Sequence, residues 1–274
     1  VNYSLKVDAR IFDQDSFLFS FLSRTIIFFS AFAFPYLVYS MRSPQVFQVN
    51  RSFFLLLLLA PAIFSFKVAF NFDLNFAGDW ELSNYWNHVI YWPSLTLITT
   101  LLLYFTWKRF DADQPFYGVT THKVNWKPYI MMLLFMIPLI AAASTQTDFQ
   151  SMYPKLKVVT DAGSMGRFGP LQKALFELAY GCDFITIELF FRGFLVLAFC
   201  KWVGKAAILP MACFYCTIHF GKPLGECISS YFGGMILGIV VYHTRSIFGG
   251  LMVHLGIAWL MEIGGYVGNA YFNN

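Results

Sequence analysis

Five side chains in the last third of the chain have types and spacings suited to chemistry. Glu188 and Arg192 lie four residues apart within the stretch from Asp183 to Leu195. On a helix this spacing puts carboxylate and guanidinium on one face, one turn apart. The surrounding apolar run, from Ala174 to Cys200, is long enough to cross a bilayer. Either charge alone is costly in hydrocarbon, so a pair turned toward the protein interior is expected. A salt bridge that only fixes helix packing accounts for that pair as well as a functional site does. Tyr215 and His219 repeat the one-turn spacing, and His254 follows in a separate apolar run. A single membrane histidine is more often a hydrogen-bonded packing residue than a catalyst. Glu188, His219 and His254 together, from three different segments, form a set that can hold a water or a metal ion. A carboxylate and an imidazole can activate water against a peptide carbonyl, while a second imidazole stabilises the developing oxyanion.

The elements that must position these groups are membrane helices. The 274 residues are 58% hydrophobic, 20% aromatic and only 12% charged, with a mean hydropathy of +0.58. Soluble domains carry charge on about a quarter of their residues. The composition therefore predicts an all-α, polytopic membrane bundle, and at about 20 residues per span the length suits some eight helices. The apolar segments fall near 16–41, 53–70, 88–107, 129–144, 174–200, 203–220, 228–242 and 247–266. Two parts of one integrated membrane domain are expected: 1–173 with four spans and a long polar loop, and 174–274 with the motif-bearing spans. The acidic, Trp-bearing stretch from Asn71 to Asn87 reads as an interfacial loop. Thr145 to Pro170, the longest polar stretch, reads as a loop that is either functional or mobile.

The net charge of +4 is spread over short connections. It reads as a topology signal and not as a nucleic-acid surface. The basic connection after residue 107, Lys201, Lys205 and Arg245 are expected inside, the acidic 71–87 stretch outside. The thirty-three Phe residues suit lipid-facing surface. Five cysteines, an odd number, give no disulfide framework, and Cys213 and Cys216 read as small buried apolar residues. The sequence starts at Val instead of Met, so residues are expected in front. Its polar head of about 16 residues has no signal-peptide pattern.

The order of motifs is specific: Glu188, Arg192 and Gly193, then Tyr215 and His219, with His219 27 residues after Arg192, then His254 and Ala258. Over about Asp183 to Glu262 this order resembles the CPBP (CAAX protease and bacteriocin-processing, also called Abi) family of intramembrane proteases. That family includes the type 2 CAAX prenyl endopeptidase. The resemblance implies Glu188, His219 and His254 as catalytic residues, with Arg192 and Tyr215 in support. Two positions depart from the family pattern. Ile187 stands where a first glutamate is thought to activate water with the motif-two histidine. Ala258 stands where an oxyanion-binding Asn often sits. Asp183, one turn before Ile187 on the same helix face, is the first candidate to stand in. Glu262, two turns beyond His254, reads as an interfacial, solvated carboxylate.

The function expected is an intramembrane endopeptidase that cuts a peptide bond near the membrane surface, in the cytoplasmic (inner) membrane of a bacterium. A divalent metal such as zinc is left open, with Glu188, His219 and His254 as its ligands. Expected partners are membrane lipid, a peptide or lipidated-protein substrate and a membrane-protein complex, with no nucleic acid. The alternative is a catalytically impaired pseudo-protease that acts as a binding or scaffold subunit. A transporter is the third reading.

Overall fold

A computed structural model describes residues 16–43, 49–71, 74–75, 78–121, 124–160, 166–222 and 224–272. The polar head, Asp73, Lys123, Asp161 and Gly163 lie outside the described residues. The described chain is helical and carries no strand. The helices are α1 (Phe17–Arg42), α2 (Arg51–Ala69), α3 (Trp80–Phe110), α4 (Lys127–Ala143), α5 (Thr147–Met152), α6 (Lys155–Thr160), α7 (Pro170–Ile187), α8 (Cys200–Val203), α9 (Ile208–Thr217), α10 (Leu224–Thr244) and α11 (Phe248–Phe272). Between α7 and α8 the chain continues as a π-helix, Glu188–Ala198.

Local sequence explains the helix starts. The Ser16 hydroxyl accepts from the Phe19 amide at the head of α1, and Asn50 Oδ1 accepts from the Phe53 amide at the head of α2. Each cap satisfies one of the amides that a helix start leaves unbonded. Within the apolar spans, hydroxyls bond back to the preceding turn, as Thr25 does to Phe21 and Thr106 to Leu102. Pro35, Pro61, Pro93 and Pro138 lie inside helices, as membrane helices tolerate.

Among the described residues, five helices are long and apolar enough to cross a bilayer: α1, α2, α3, α10 and α11. Eight apolar segments do form helix, but the other three fall short for identifiable reasons. α4 has 17 residues. α7 passes into the π-helix. The sixth segment is broken: Gly204 takes φ +55°, a 3-10 turn follows, and α9 retains 10 residues, roughly 15 Å of rise. The third span starts at Trp80 and not at His88, because Asp79 Oδ1 accepts from the Leu82 amide and caps it. The acidic 71–87 stretch is therefore helix from Trp80 onward. Arg167 then bonds both Asp79 and Glu81 and holds the Asp79 carboxyl below its ordinary range, chiefly through that hydrogen bond.

The chain forms two compact units that interleave along the sequence. The first comprises the described residues of 1–71, 99–123 and 187–248. Its interior is aromatic. Phe28, Phe32, Phe53, Phe64, Phe190, Phe191, Phe194, Phe199 and Phe214 are all buried, so much of the phenylalanine makes core and not lipid-facing surface. Phe34, Phe54 and Phe105 do face outward. Cys213 and Cys216 are half-buried, and all five cysteines are free.

The second unit comprises the described residues of 72–98, 124–186 and 249–274. Here α7 and α11 run antiparallel: Phe184 packs on His254, and Gly181 faces Leu255 and Trp259. The polar 145–170 stretch is not an open loop. It folds into α5 and α6, which α11 ties down. Glu262 Oε2 accepts from the Lys155 amide at 2.8 Å, and Asn269 Nδ2 donates to the Tyr153 carbonyl at 2.9 Å. A Cβ on Gly265 would lie 2.6 Å from the Tyr153–Pro154 backbone, so only glycine permits this contact. Glu262 is 3% exposed. It caps α6 from within the unit and is not a solvated interfacial carboxylate.

Candidate functional site

The π-helix is the interior of the first unit, with all eleven of its residues buried. A π-helix closes i→i+5 hydrogen bonds, is rare, and occurs preferentially at functional sites. Glu188 opens it. Arg192 Nη1 lies 3.2 Å from Glu188 Oε1, and the two side chains are 1% and 0% exposed respectively. The expected inward pair is thus present. The guanidinium also lies over the Tyr215 ring, 4.1 Å from its centroid, a cation–π contact strengthened by burial. Tyr215 is held edge-on by Phe191 at 5.0 Å.

Gly193 explains why the turn after Arg192 carries no side chain. A Cβ there would lie 2.6 Å from the Tyr117 carbonyl oxygen. Tyr117 has φ +37° and is fully buried. Its hydroxyl donates to Asp111 Oδ2 at 2.9 Å; burial first, then this carboxylate, raises its pKa. Sequence reasoning missed this turn. Its only trace in the sequence is Gly118, whose φ of +77° suits glycine.

His219 follows α9. Its ring packs edge-on against Tyr215 at 4.8 Å, and Nδ1 lies 3.1 Å from the Tyr215 carbonyl. A carbonyl can only accept, so Nδ1 donates, and in the neutral ring Nε2 carries the lone pair. That is the nitrogen a general base uses. The first unit therefore brings together Glu188, Arg192, Tyr215 and His219, with Tyr215 touching both the arginine and the histidine.

The second unit holds the other two candidates. His254 is half-buried on α11, with its ring 4.8 Å from Phe184. Asp183, also half-buried, precedes Phe184 on α7. Ile187, at the position of the expected first glutamate, is 7% exposed and belongs to the aromatic core of the first unit. Neither unit gathers three His, Cys, Asp or Glu side chains that could hold a metal ion among its described residues. Within the first unit the donors Glu188 and His219 are two, and a guanidinium already occupies the carboxylate. A catalytic divalent metal takes three protein ligands, which neither unit supplies by itself among its described residues, and no step below passes through a metal.

Residues 173–260 match the family described as Rce1-like, type II CAAX prenyl endopeptidase. The matched segment includes Glu188, Arg192, Tyr215, His219 and His254. No curated protein and no solved structure matches the chain.

Proposed function

We propose, from the premise that residues 173–260 are of the type II CAAX prenyl endopeptidase kind, that this integral membrane protein hydrolyses a peptide bond of a membrane-borne substrate with Glu188, His219 and His254. The observation that carries the reading is Glu188, a carboxylate without solvent exposure inside the matched segment. A buried ionised group is expensive, and its cost is understandable where the group serves a reaction.

In this reading His219 Nε2 takes the proton of a water as its oxygen attacks the peptide carbonyl. Glu188, held by Arg192, supplies the negative charge that favours the imidazolium so formed. His254 donates to the developing oxyanion. As the tetrahedral intermediate collapses, the proton on His219 passes to the leaving amine. Tyr215 positions both Arg192 and His219. The substrate class is a peptide or prenylated protein presented at the membrane. Asp183 stands in reserve as the second carboxylate.

Ile187 favours a second reading. The position that matches the first glutamate is filled by hydrocarbon in the core, which suits a pseudo-protease that binds a peptide or lipid tail without cutting it.

Turnover of a fluorogenic membrane-peptide library by the purified protein separates the two. The protease reading expects cleavage by the wild type, abolished in both Glu188→Gln and His219→Ala. Cleavage that survives either change overturns the residue assignment. Peptide binding without cleavage, lost in the same variants, establishes the pseudo-protease.

A further inference from the structure

One end of the first unit gathers cations from four separate connections. Arg42 closes α1 and Arg51 opens α2. Lys108 and Arg109 lie in the last turn of α3. Lys201 and Lys205 follow the π-helix, and Arg245 follows α10. All are exposed.

Side-chain and backbone contacts bring these connections to the same end. Tyr36 and Phe53 both pack on Phe199, and Phe53 also packs on Trp202. Lys201 Nζ donates to the Phe110 carbonyl at 2.9 Å. Arg245 Nη1 lies 2.9 Å from Cys200 Sγ, and the Ile247 amide donates to the Gly118 carbonyl at 3.0 Å.

Carboxylates are scarce there. Asp111 is fully buried and paired with Lys201. Asp113 is exposed. The connections 43–50, 199–207 and 245–247 contain no Asp or Glu. None of the other six cations forms an ion pair with a described residue. At the opposite end of the unit the two described lysines are differently placed: Lys67 is 7% exposed, and Lys222 is paired with Glu226 at 2.9 Å.

Aromatic groups with polar edges ring the cationic end. Trp107 Nε1 donates to the Gln114 carbonyl at 2.8 Å, Lys201 lies over Trp202, and Arg245 lies over Tyr242. Tryptophan and tyrosine favour the headgroup level of a bilayer.

We propose that this end of the first unit is a binding surface for anionic phospholipid headgroups, which the six unpaired cations engage. Unpaired cations next to an aromatic girdle attract a negatively charged leaflet within a Debye length. The surface does not depend on peptide cleavage, so it stands or falls apart from the protease reading.

The test is lipid retention by the full chain, purified from a mixture of phosphatidylglycerol and phosphatidylcholine and read by native mass spectrometry. The wild type is expected to retain phosphatidylglycerol over phosphatidylcholine by about tenfold or more. The preference should vanish when Arg42, Arg51, Lys108, Arg109, Lys205 and Arg245 are changed to Gln, survive exchange of each Arg and Lys for the other, and survive Lys222→Gln. If the sixfold variant does not fold, salt titration of the wild type replaces it, and the preference must then collapse as ionic strength rises. Equal retention of the two lipids by the wild type, or a preference indifferent to both charge removal and salt, overturns the proposal.

Discussion

Arg192 is buried, with its side chain 1% exposed. It meets Glu188 at 3.2 Å and the Tyr215 ring at 4.1 Å, and its Nε has no hydrogen-bond partner among the described residues. Breaking a buried ion pair by removing one member leaves the other charge in hydrocarbon, at a cost of about 3–5 kcal/mol. Loss of cleavage in Arg192→Ala would therefore say little about chemistry, because unfolding would explain it. Replacing both members with apolar residues of similar volume is often neutral or stabilising. Glu188→Leu combined with Arg192→Met is expected to melt in detergent within a few degrees of the wild type, while Arg192→Ala melts well below it. The double variant should have no cleavage. If it is as unstable as the single one, the pair is needed to fold the unit, and its cost is structural. The sequence showed this pair clearly, since four-residue spacing of opposite charges in an apolar run leaves few other arrangements. It could not show Tyr215 as the common neighbour of Arg192 and His219, because that contact depends on how α9 docks against the π-helix.

At the scale of elements, the π-helix and the Tyr117 turn depend on each other. The carbonyl of Tyr117 reaches the backbone of Gly193, and the turn cannot retreat: Tyr117 is anchored to Asp111, and Gly118 accepts from Ile247. Gly193→Ala must push backbone against backbone, an overpacking that costs about 1–3 kcal/mol. Gly233, on α10, is the control, because a Cβ there meets nothing within 4 Å. Gly233→Ala is expected to stabilise by about 0.5–1 kcal/mol, the ordinary gain from replacing glycine inside a helix. Opposite shifts in thermal midpoint check the pair; equal shifts would mean that the Tyr117 contact is not tight. Hydropathy located the helices, but the π register was hidden, because the four-residue spacing of Glu188 and Arg192 reads as an ordinary α-helix. The start of α3 was hidden for a different reason. The acidic residues around Trp80 looked like loop, although Asp79 followed by Glu81 is also what a capped helix start looks like. The α5–α6 segment was illegible because its anchors, Glu262 and Asn269, lie more than a hundred residues away.

For the molecule as a whole, the first unit has a polarity that decides which side of the membrane its candidate site approaches. Along α2, Phe53 packs at the cationic end, and Phe64, eleven residues on, packs against Phe190, Phe191 and Phe214. That is roughly 16 Å of helix rise. Glu188 opens the π-helix, whose far end leads to Lys201, and His219 follows the end of α9 remote from Lys205. The Glu188 and His219 half of the unit is therefore the half away from the cations. Lysine and arginine in short connections mark the cytoplasmic side, so His219 is expected nearer the opposite aqueous phase. The prediction is tested with single cysteines in a chain whose five native cysteines are replaced by alanine. Lys222→Cys should react with a membrane-impermeant maleimide in intact cells, and Asp113→Cys only after the membrane is opened. The reverse pattern would put the cations on the outer face and His219 toward the cytoplasm, where a prenylated cytoplasmic protein could reach it. The observed pattern thus selects the substrates worth testing: with the cations inside, the peptide to be cut must arrive from the outer side.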